Sequence, residues 1–305
     1  MTENNDIDND NENIQYLNLP QKNKYRMHAH CNPLSIISIP YPFSPQCNDW
    51  SQHYPFIISN SKQQNKELHI NTDNFPCIYH NETFTPTSTS TIPKHFTTTP
   101  YVNIVDIGCG YGGLLFNMSP HLNSNDLALG MEIRDKVTTF CGERIRTLRI
   151  NSNHKEYNNI SVVRTNTMKL LLNYFYKGQL DKLYFCFADP HFKKYNHRKR
   201  IINKYLLNDY SYVLKLGGKL YSITDVEELH NWHVEVLKQN PCFKEVSTDE
   251  VEKDECLQYM KNTDEARKVM KKNGKMYYAV YERVEPTGIN NLYDLYNKLD
   301  YTNDD

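Results

Sequence analysis

No stretch of the 305 residues is apolar for long enough to span a bilayer, and the amino terminus lacks the apolar run of a signal peptide. No C-x-x-C pair occurs among the eight cysteines, at positions 31, 47, 77, 109, 141, 186, 242 and 256. Thiols scattered in this way suit neither a disulfide framework nor a zinc site; reduced cysteines in an intracellular protein are the expectation, with no metal. Residues 1–14 hold five acids and no base, and Asp300, Asp304 and Asp305 place three more acids at the other end. Setting those eight acids aside turns the net charge of −1 into +7 over the stretch between them. A basic body of this kind fits an anionic partner such as nucleic acid, although charge alone does not choose one.

The chain divides by composition. Residues 1–24 are Asn- and Asp-rich and are expected to form a disordered tail. Between 25 and 58, prolines 33, 40, 42, 45 and 55 alternate with Tyr, Phe and Trp50, which predicts an extended segment packing on the core or on a partner. Residues 59–100, including "TPTSTSTIPKHFTTTP", read as a flexible insert, and 286–305 as a C-terminal tail. In the stretch 101–285, strands are predicted at 103–107, 127–133, 160–164, 182–188 and 219–224. Helices are predicted between them at 113–118, 136–150, 168–175, 203–214 and 226–239. Alternation at this spacing implies an α/β fold: a mainly parallel, doubly wound sheet with helices on both faces. A late strand at 276–283 can join the sheet at an edge.

"IVDIGCGYGGL" (104–114) runs a strand into a glycine-rich turn that opens a helix, with Gly108, Gly110 and Gly113 in G-x-G-x-x-G spacing. A turn without Cβ atoms lets a cofactor approach the backbone, and Glu132, at the end of the next strand, can accept both ribose hydroxyls of an adenosine. The plainer alternatives are a tight turn and a solvated strand-end acid. NAD and S-adenosylmethionine both fit a nucleoside site of this form. Asp106, just before the first glycine, favours S-adenosylmethionine, because it can face the methionine ammonium where a dinucleotide fold keeps an apolar residue. The helix–Gly-Gly–strand passage "VLKLGGKLYSI" (213–223) resembles the Rossmann-like methyltransferases in the same sense.

In "LYFCFADPHFKKYNHRKR" (183–200) an apolar strand stops at Asp189-Pro190 and gives way to Lys193, Lys194, His197, Arg198, Lys199 and Arg200. In a doubly wound sheet, ligands sit beyond the C-terminal strand ends, so Asp189 belongs at the mouth of the cofactor site. The cations beside it are candidates for RNA phosphates. A capped turn and a solvated basic loop are the alternatives.

The blocks "DIGCGYGGLL", "GMEIRDKV", "NYFYKGQL", "FADPHFKKYNHRKRII", "GGKLYSITDVEELHNW" and "NGKMYYAVYERV" resemble the catalytic subunit of the eukaryotic tRNA (guanine-N7)-methyltransferases. "YRMHAHCNP" and "DWSQHYP" resemble that family's N-terminal segment. The resemblance covers about 25–56 and 103–284 and implies a class I fold, S-adenosylmethionine as methyl donor, and a variable-loop guanine of tRNA as acceptor. It also implies a non-catalytic WD-repeat (β-propeller) partner and a nuclear location, with the cytoplasm as a further compartment. Carried over by motif, Asp189 is the active-site acid. Gly108, Gly110, Glu132, Ile133, Arg134, Asn166, Thr167 and Cys186 would lie at the cofactor with Asp106, and Thr263 and Glu265 of "NTDEARK" would reach it from a C-terminal loop. Ala188 stands where the family usually has proline, while Asp189-Pro190 is kept.

Three rival readings remain. "ADPHF" faintly resembles the Asp-Pro-Pro-Tyr type motif of adenine N6-methyltransferases but lacks the second proline. A non-catalytic RNA-binding subunit has no need of Gly108, Gly110, Glu132 and Asp189 together. An NAD dehydrogenase is disfavoured by Asp106.

Overall fold

Val102, Ile104, Val105 and Ile107 are all buried, so the first strand has no solvent face, and the next two strands along the chain show the same near-continuous burial. Strands of this kind sit inside a parallel sheet whose two faces are both covered by helices. A computed structural model, described over residues 16–28, 31–35, 39–58 and 101–286, shows that sheet. Its strands are β1 (Tyr101–Ile107), β2 (Asp126–Glu132), β3 (Ile160–Arg164), β4 (Leu180–Cys186), β5 (Leu214–Thr224), β6 (Phe243–Glu245) and β7 (Tyr277–Arg283). The spatial order is β3-β2-β1-β4-β5-β7-β6. β7 runs antiparallel to both β5 and β6, and the remaining pairs are parallel. The helices among the described residues are α1 (Gly113–Met118), α2 (Asp135–Asn151), α3 (Thr167–Tyr174), α4 (Leu206–Val213), α5 (Glu227–Gln239), α6 (Thr248–Lys253), α7 (Glu255–Lys261) and α8 (Asp264–Lys271).

Two apolar cores lie against the sheet. One gathers Val105, Leu129 and Phe185 with Tyr210, Leu237 and the N-terminal residues Trp50 and Tyr54. The other gathers Ile104, Leu114, Leu115, Ile145 and Leu257. The chain turns back at β1, with β2 and β3 on one side and β4 and β5 on the other. That reversal opens a crevice at the C-terminal strand ends.

Two predicted strands differ, and three helices lie where none is predicted. The predicted late strand at 276–283 joins the sheet but not at its edge, because β6 pairs outside β7; three residues of strand are too few for any period to register. β5 begins at Leu214, not Lys219, and its register to β4 shifts between the Leu180 and Lys182 pairings. The Gly-Gly passage lies inside this irregularity, where a Cβ on Gly218 would stand 2.9 Å from the Lys215 carbonyl oxygen. The helices α6, α7 and α8 between 248 and 271 were not anticipated.

The proline- and aromatic-rich segment lies on its own domain. Trp50 stacks on Phe175, with centroids 6.1 Å apart and an interplanar angle of 9°. Tyr54 is fully buried and donates its hydroxyl to the Ala128 carbonyl at 2.9 Å. Arg149, buried at the end of α2, donates to the carbonyls of His53, Tyr157 and Ile160. Burial and this guanidinium push the His53 imidazole down to about 4. Part of the expected tail is also placed: the Leu17 backbone and the Asn151 amide exchange two hydrogen bonds, of 2.8 and 2.9 Å. Tyr25 packs edge-on against Phe140 of α2. Composition flagged 1–24 as polar, but it does not show a two-point amide pairing to a helix end. The rest of that tail to residue 15, the insert 59–100, and the C-terminal tail from 287 lie outside the described residues.

Candidate active site

A cleft of about 430 Å³ opens at the crevice. Gly108, Glu132, Ile133, Arg134, Asn166, Thr167, Asp189, Lys199 and Glu265 all line it. Residues from β1, β2, the β3–α3 turn, the β4 loop and α8 therefore meet where the sequence placed a nucleoside site. Asp106, Gly110, Cys186 and Thr263 are not in the lining, and each has a different position.

The turn after β1 needs glycine for two distinct reasons. Gly108 has φ 74°, and its N–H donates to the Met131 carbonyl at 2.8 Å, fixing the turn to β2. Gly112, outside the G-x-G-x-x-G spacing, is the left-handed residue that starts α1. A Cβ there would stand 2.5 Å from the Cys141 sulfur.

Glu132 organises the wall of the cleft at the end of β2. Its Oε2 accepts from the Gly110 N–H at 3.0 Å and from Arg134 Nη2 at 2.9 Å. Its Oε1 accepts from the Arg134 N–H at 2.9 Å and from Arg134 Nε at 3.1 Å. Four contacts use the full acceptor capacity of a carboxylate. A ribose can therefore take Glu132 only by displacing part of the Arg134 side chain. Gly110 lies behind the wall, joined to the cleft through Glu132.

Asp106 is 1% exposed and its Oδ1 has no hydrogen-bond partner. Burial, with the negative charges of Glu265 and Glu132 adding to it, pushes its carboxyl up to about 8. An orphaned buried carboxyl beside the glycine turn is what an incoming ammonium would satisfy, and in that respect the residues fit S-adenosylmethionine. Between about 4 and about 8, folded Asp106 holds a proton that the unfolded chain has lost, so its contribution to stability falls as pH rises through that window, by at most ~1.4 kcal/mol per pH unit. Asp106→Asn should therefore gain thermal stability relative to the parent as pH rises from 5 to 8. Melting curves in which the gap between the two proteins does not change with pH would refute this.

Asn166 donates its side-chain amide to the Pro33 carbonyl at 2.6 Å. Pro33 and Cys31 form part of the cleft lining. The N-terminal segment is thus a wall of the site, which sequence reading did not show. Thr263 caps α8, its hydroxyl accepting from the Ala266 N–H at 3.3 Å and donating to the Met260 carbonyl at 3.0 Å. It is buried and fixes the helix start from which Glu265 reaches the cleft. Cys186 also sits behind the wall, where burial and the charges of Asp106 and Glu265 push its thiol up.

Asp189 follows β4 in a loop with left-handed backbone at Phe187 (φ 52°) and His191 (φ 44°). Its Oδ1 accepts from the His191 N–H at 3.2 Å. Of the predicted phosphate contacts, Lys193, Lys194 and Arg198 are exposed, while Lys199 and His197 are half-buried. Arg200 is a correction: it is 1% exposed, with its guanidinium bonded inside the protein, and cannot reach a phosphate. Two aromatics that the sequence reading passed over, Phe192 and Tyr195, are 65% and 68% exposed among these cations. Their signal was aromatic residues interleaved with lysines. Among the described residues, no group of His, Cys, Asp and Glu is placed to hold a metal ion, and no helix is long and apolar enough to cross a membrane.

The sheet order with its antiparallel β7, the glycine turn and the acid closing β2 define a Rossmann-like class I methyltransferase, the class whose methyl donor is S-adenosylmethionine. A family model described as a putative methyltransferase matches residues 100–279. The chain belongs to the tRNA (guanine-N7-)-methyltransferase family. It is 41% identical to the tRNA (guanine-N(7)-)-methyltransferase of Zea mays over 267 residues, covering 87% of this chain and 93% of that protein. Proteins of the same name from Kluyveromyces lactis and Arabidopsis thaliana are each 41% identical, over 276 and 268 residues. These alignments cover 90% and 87% of this chain and 87% and 92% of the relatives.

Proposed function

We propose that the chain methylates N7 of a variable-loop guanine in tRNA, at position 46. One observation carries the reading: Asp189 and Glu132 line the same cleft, beside exposed Lys193, Lys194 and Arg198. S-adenosylmethionine, when bound, supplies a sulfonium methyl, and guanine N7 has a lone pair and no proton, so no strong base is required. Alignment, worth ~7–11 kcal/mol at best, then becomes the main task of the protein. Asp189 accepts from the guanine amino and imino N–H groups, holding the base and offsetting the positive charge that develops on it. Glu132, Arg134, Asn166 and Thr167 hold the donor, Asp106 from behind the wall faces its ammonium directly or through water, and Glu265 closes the cleft from α8. Because N7 is commonly engaged in folded RNA, the guanine is turned out into the cleft. Mapping the methylated atom on tRNA incubated with labelled donor tests this, and label on adenine N6 would replace the reading.

Lys193, Lys194, Arg198 and the half-buried Lys199 hold the RNA backbone, with His197 packed edge-on against Trp232 beneath them, and Phe192 and Tyr195 stack on unpaired bases. Base–aromatic stacking is worth ~1–3 kcal/mol per base. Phe192→Ala with Tyr195→Ala should therefore raise the KM for tRNA at least about tenfold at one fixed salt concentration, with donor affinity unchanged. An unchanged KM would remove both aromatics from the RNA face.

A WD-repeat subunit is the proposed partner. α3 and α4 pack together and leave Leu172 and Tyr212 exposed, a surface suited to another protein. Equal methylation efficiency with and without such a subunit, across substrate concentrations, would count against it. A nuclear location rests on the family resemblance alone and is tested by imaging the tagged chain.

A further inference from the structure

The loop that carries Asp189 is strained at two positions. Left-handed backbone at a non-glycine residue is unfavourable and persists only where the surroundings over-determine it. Phe187 is held by the sheet, its N–H donating to the Ile223 carbonyl at 2.8 Å. On the far side of the acid, Arg200 supplies a tether. Its Nε donates to the Pro190 carbonyl at 2.9 Å, and its Nη2 donates to Glu228 Oε1 on α5 at 2.6 Å. The guanidinium lies 4.8 Å from the ring centre of Trp232, also on α5. Trp232 in turn donates Nε1–H to the Ile202 carbonyl at 2.8 Å, so both ends of the Arg200 neighbourhood are fixed to one helix.

We propose that Arg200 is a positioning residue for Asp189: it ties the carbonyl of the next residue to α5 and so sets where the carboxylate stands in the cleft. A planar fork can donate to Pro190 and Glu228 at once while stacking on indole; a lysine ammonium on a flexible stem cannot reproduce all three contacts. The inference rests on Asp189 being the group that holds the guanine.

The test compares Arg200→Lys, Glu228→Gln and Asp189→Asn in the full chain, with rates counted per S-adenosylmethionine-binding site so that misfolded protein drops out. Arg200→Lys should lower kcat about 10–100-fold, the effect of a small misplacement of a reacting group. Donor affinity and the KM for tRNA should change little. Glu228→Gln, at a largely exposed carboxylate, should lower kcat less and add nothing in the Arg200→Lys background. In Arg200→Ala, millimolar guanidinium should restore part of kcat by refilling the site. Parental kcat per binding site in Arg200→Lys, or a rise in KM for tRNA alone, overturns the proposal. If Asp189→Asn is inactive while Arg200→Lys is normal, only this inference fails; if both are normal, the reading of Asp189 fails.

Discussion

Asp189→Asn should abolish most turnover while leaving S-adenosylmethionine affinity close to that of the parent. Asparagine keeps the size and planarity of the side chain, so the strained loop between Phe187 and His191 has no steric reason to rearrange. What changes is the hydrogen-bonding character: an acceptor-only group becomes one that must donate on one side. A guanine presenting two N–H groups then meets a donor where it needs an acceptor, and the positive charge developing on the ring loses its counter-charge. Removing one such preorganised electrostatic group typically costs about 10²–10³ in kcat. Steady-state kinetics on tRNA, with calorimetry for the donor, measures both quantities. Near-normal methylation would reduce Asp189 to a turn cap that accepts from the His191 N–H.

Glu132→Ala should show the opposite split, with donor affinity lost first. Two charge-assisted hydrogen bonds to ribose hydroxyls are each worth ~1.5–3 kcal/mol, so affinity should fall at least about a hundredfold. The structure adds a second source of loss. The same carboxylate fixes the Gly110 N–H and both ends of Arg134, so its removal unpins the glycine turn and frees a cation into the cleft. β2 itself is held by pairing to β1 and β3, and the domain should stay folded. Calorimetry showing parental affinity in a folded variant would take Glu132 out of the site.

The parts of the site legible in the sequence are those where one backbone requirement and one chemical requirement coincide. Gly108 and Glu132 end adjacent parallel strands, and strand ends in a doubly wound sheet share a crevice, so their meeting follows from topology. Asp189 was legible for the same reason. Arg200 was misassigned because a run of cations gives a sign without a direction. The turn at Lys194–Lys199 is a 3-10 helix, in which residues three apart share a side. His197 in that turn and Arg200, the extended residue that ends it, both lie against Trp232, while Lys193 and Arg198 are exposed. The cleft wall at Cys31 and Pro33 had no periodic signal. Among the described residues it is held by contacts far apart in sequence, such as the Asn166 amide on the Pro33 carbonyl and the Lys169 ammonium on the Ser35 carbonyl. β6 was too short to be seen, and without it the strand at 277–283 looked like an edge.

The place of β7 also bears on how the protein is made. During synthesis the chain emerges amino terminus first, and folding begins on what has left the ribosome. The strap that carries Trp50 and Tyr54 emerges early, yet Tyr54 reaches its acceptor only when Ala128, 74 positions later, has been made. At the other end, β5 and β6 are not neighbours; each pairs with β7, so the sheet has a gap until Tyr277–Arg283 arrives. Until then the nascent protein shows an open β5 edge, a template for wrong pairing with other chains. An incomplete translation product stopping before Tyr277 would keep the glycine turn, Glu132 and Asp189 and still lack the strand that joins β5 to β6. The chemistry is encoded in the middle of the chain, but the sheet that supports it is finished by nearly the last described residues to leave the ribosome.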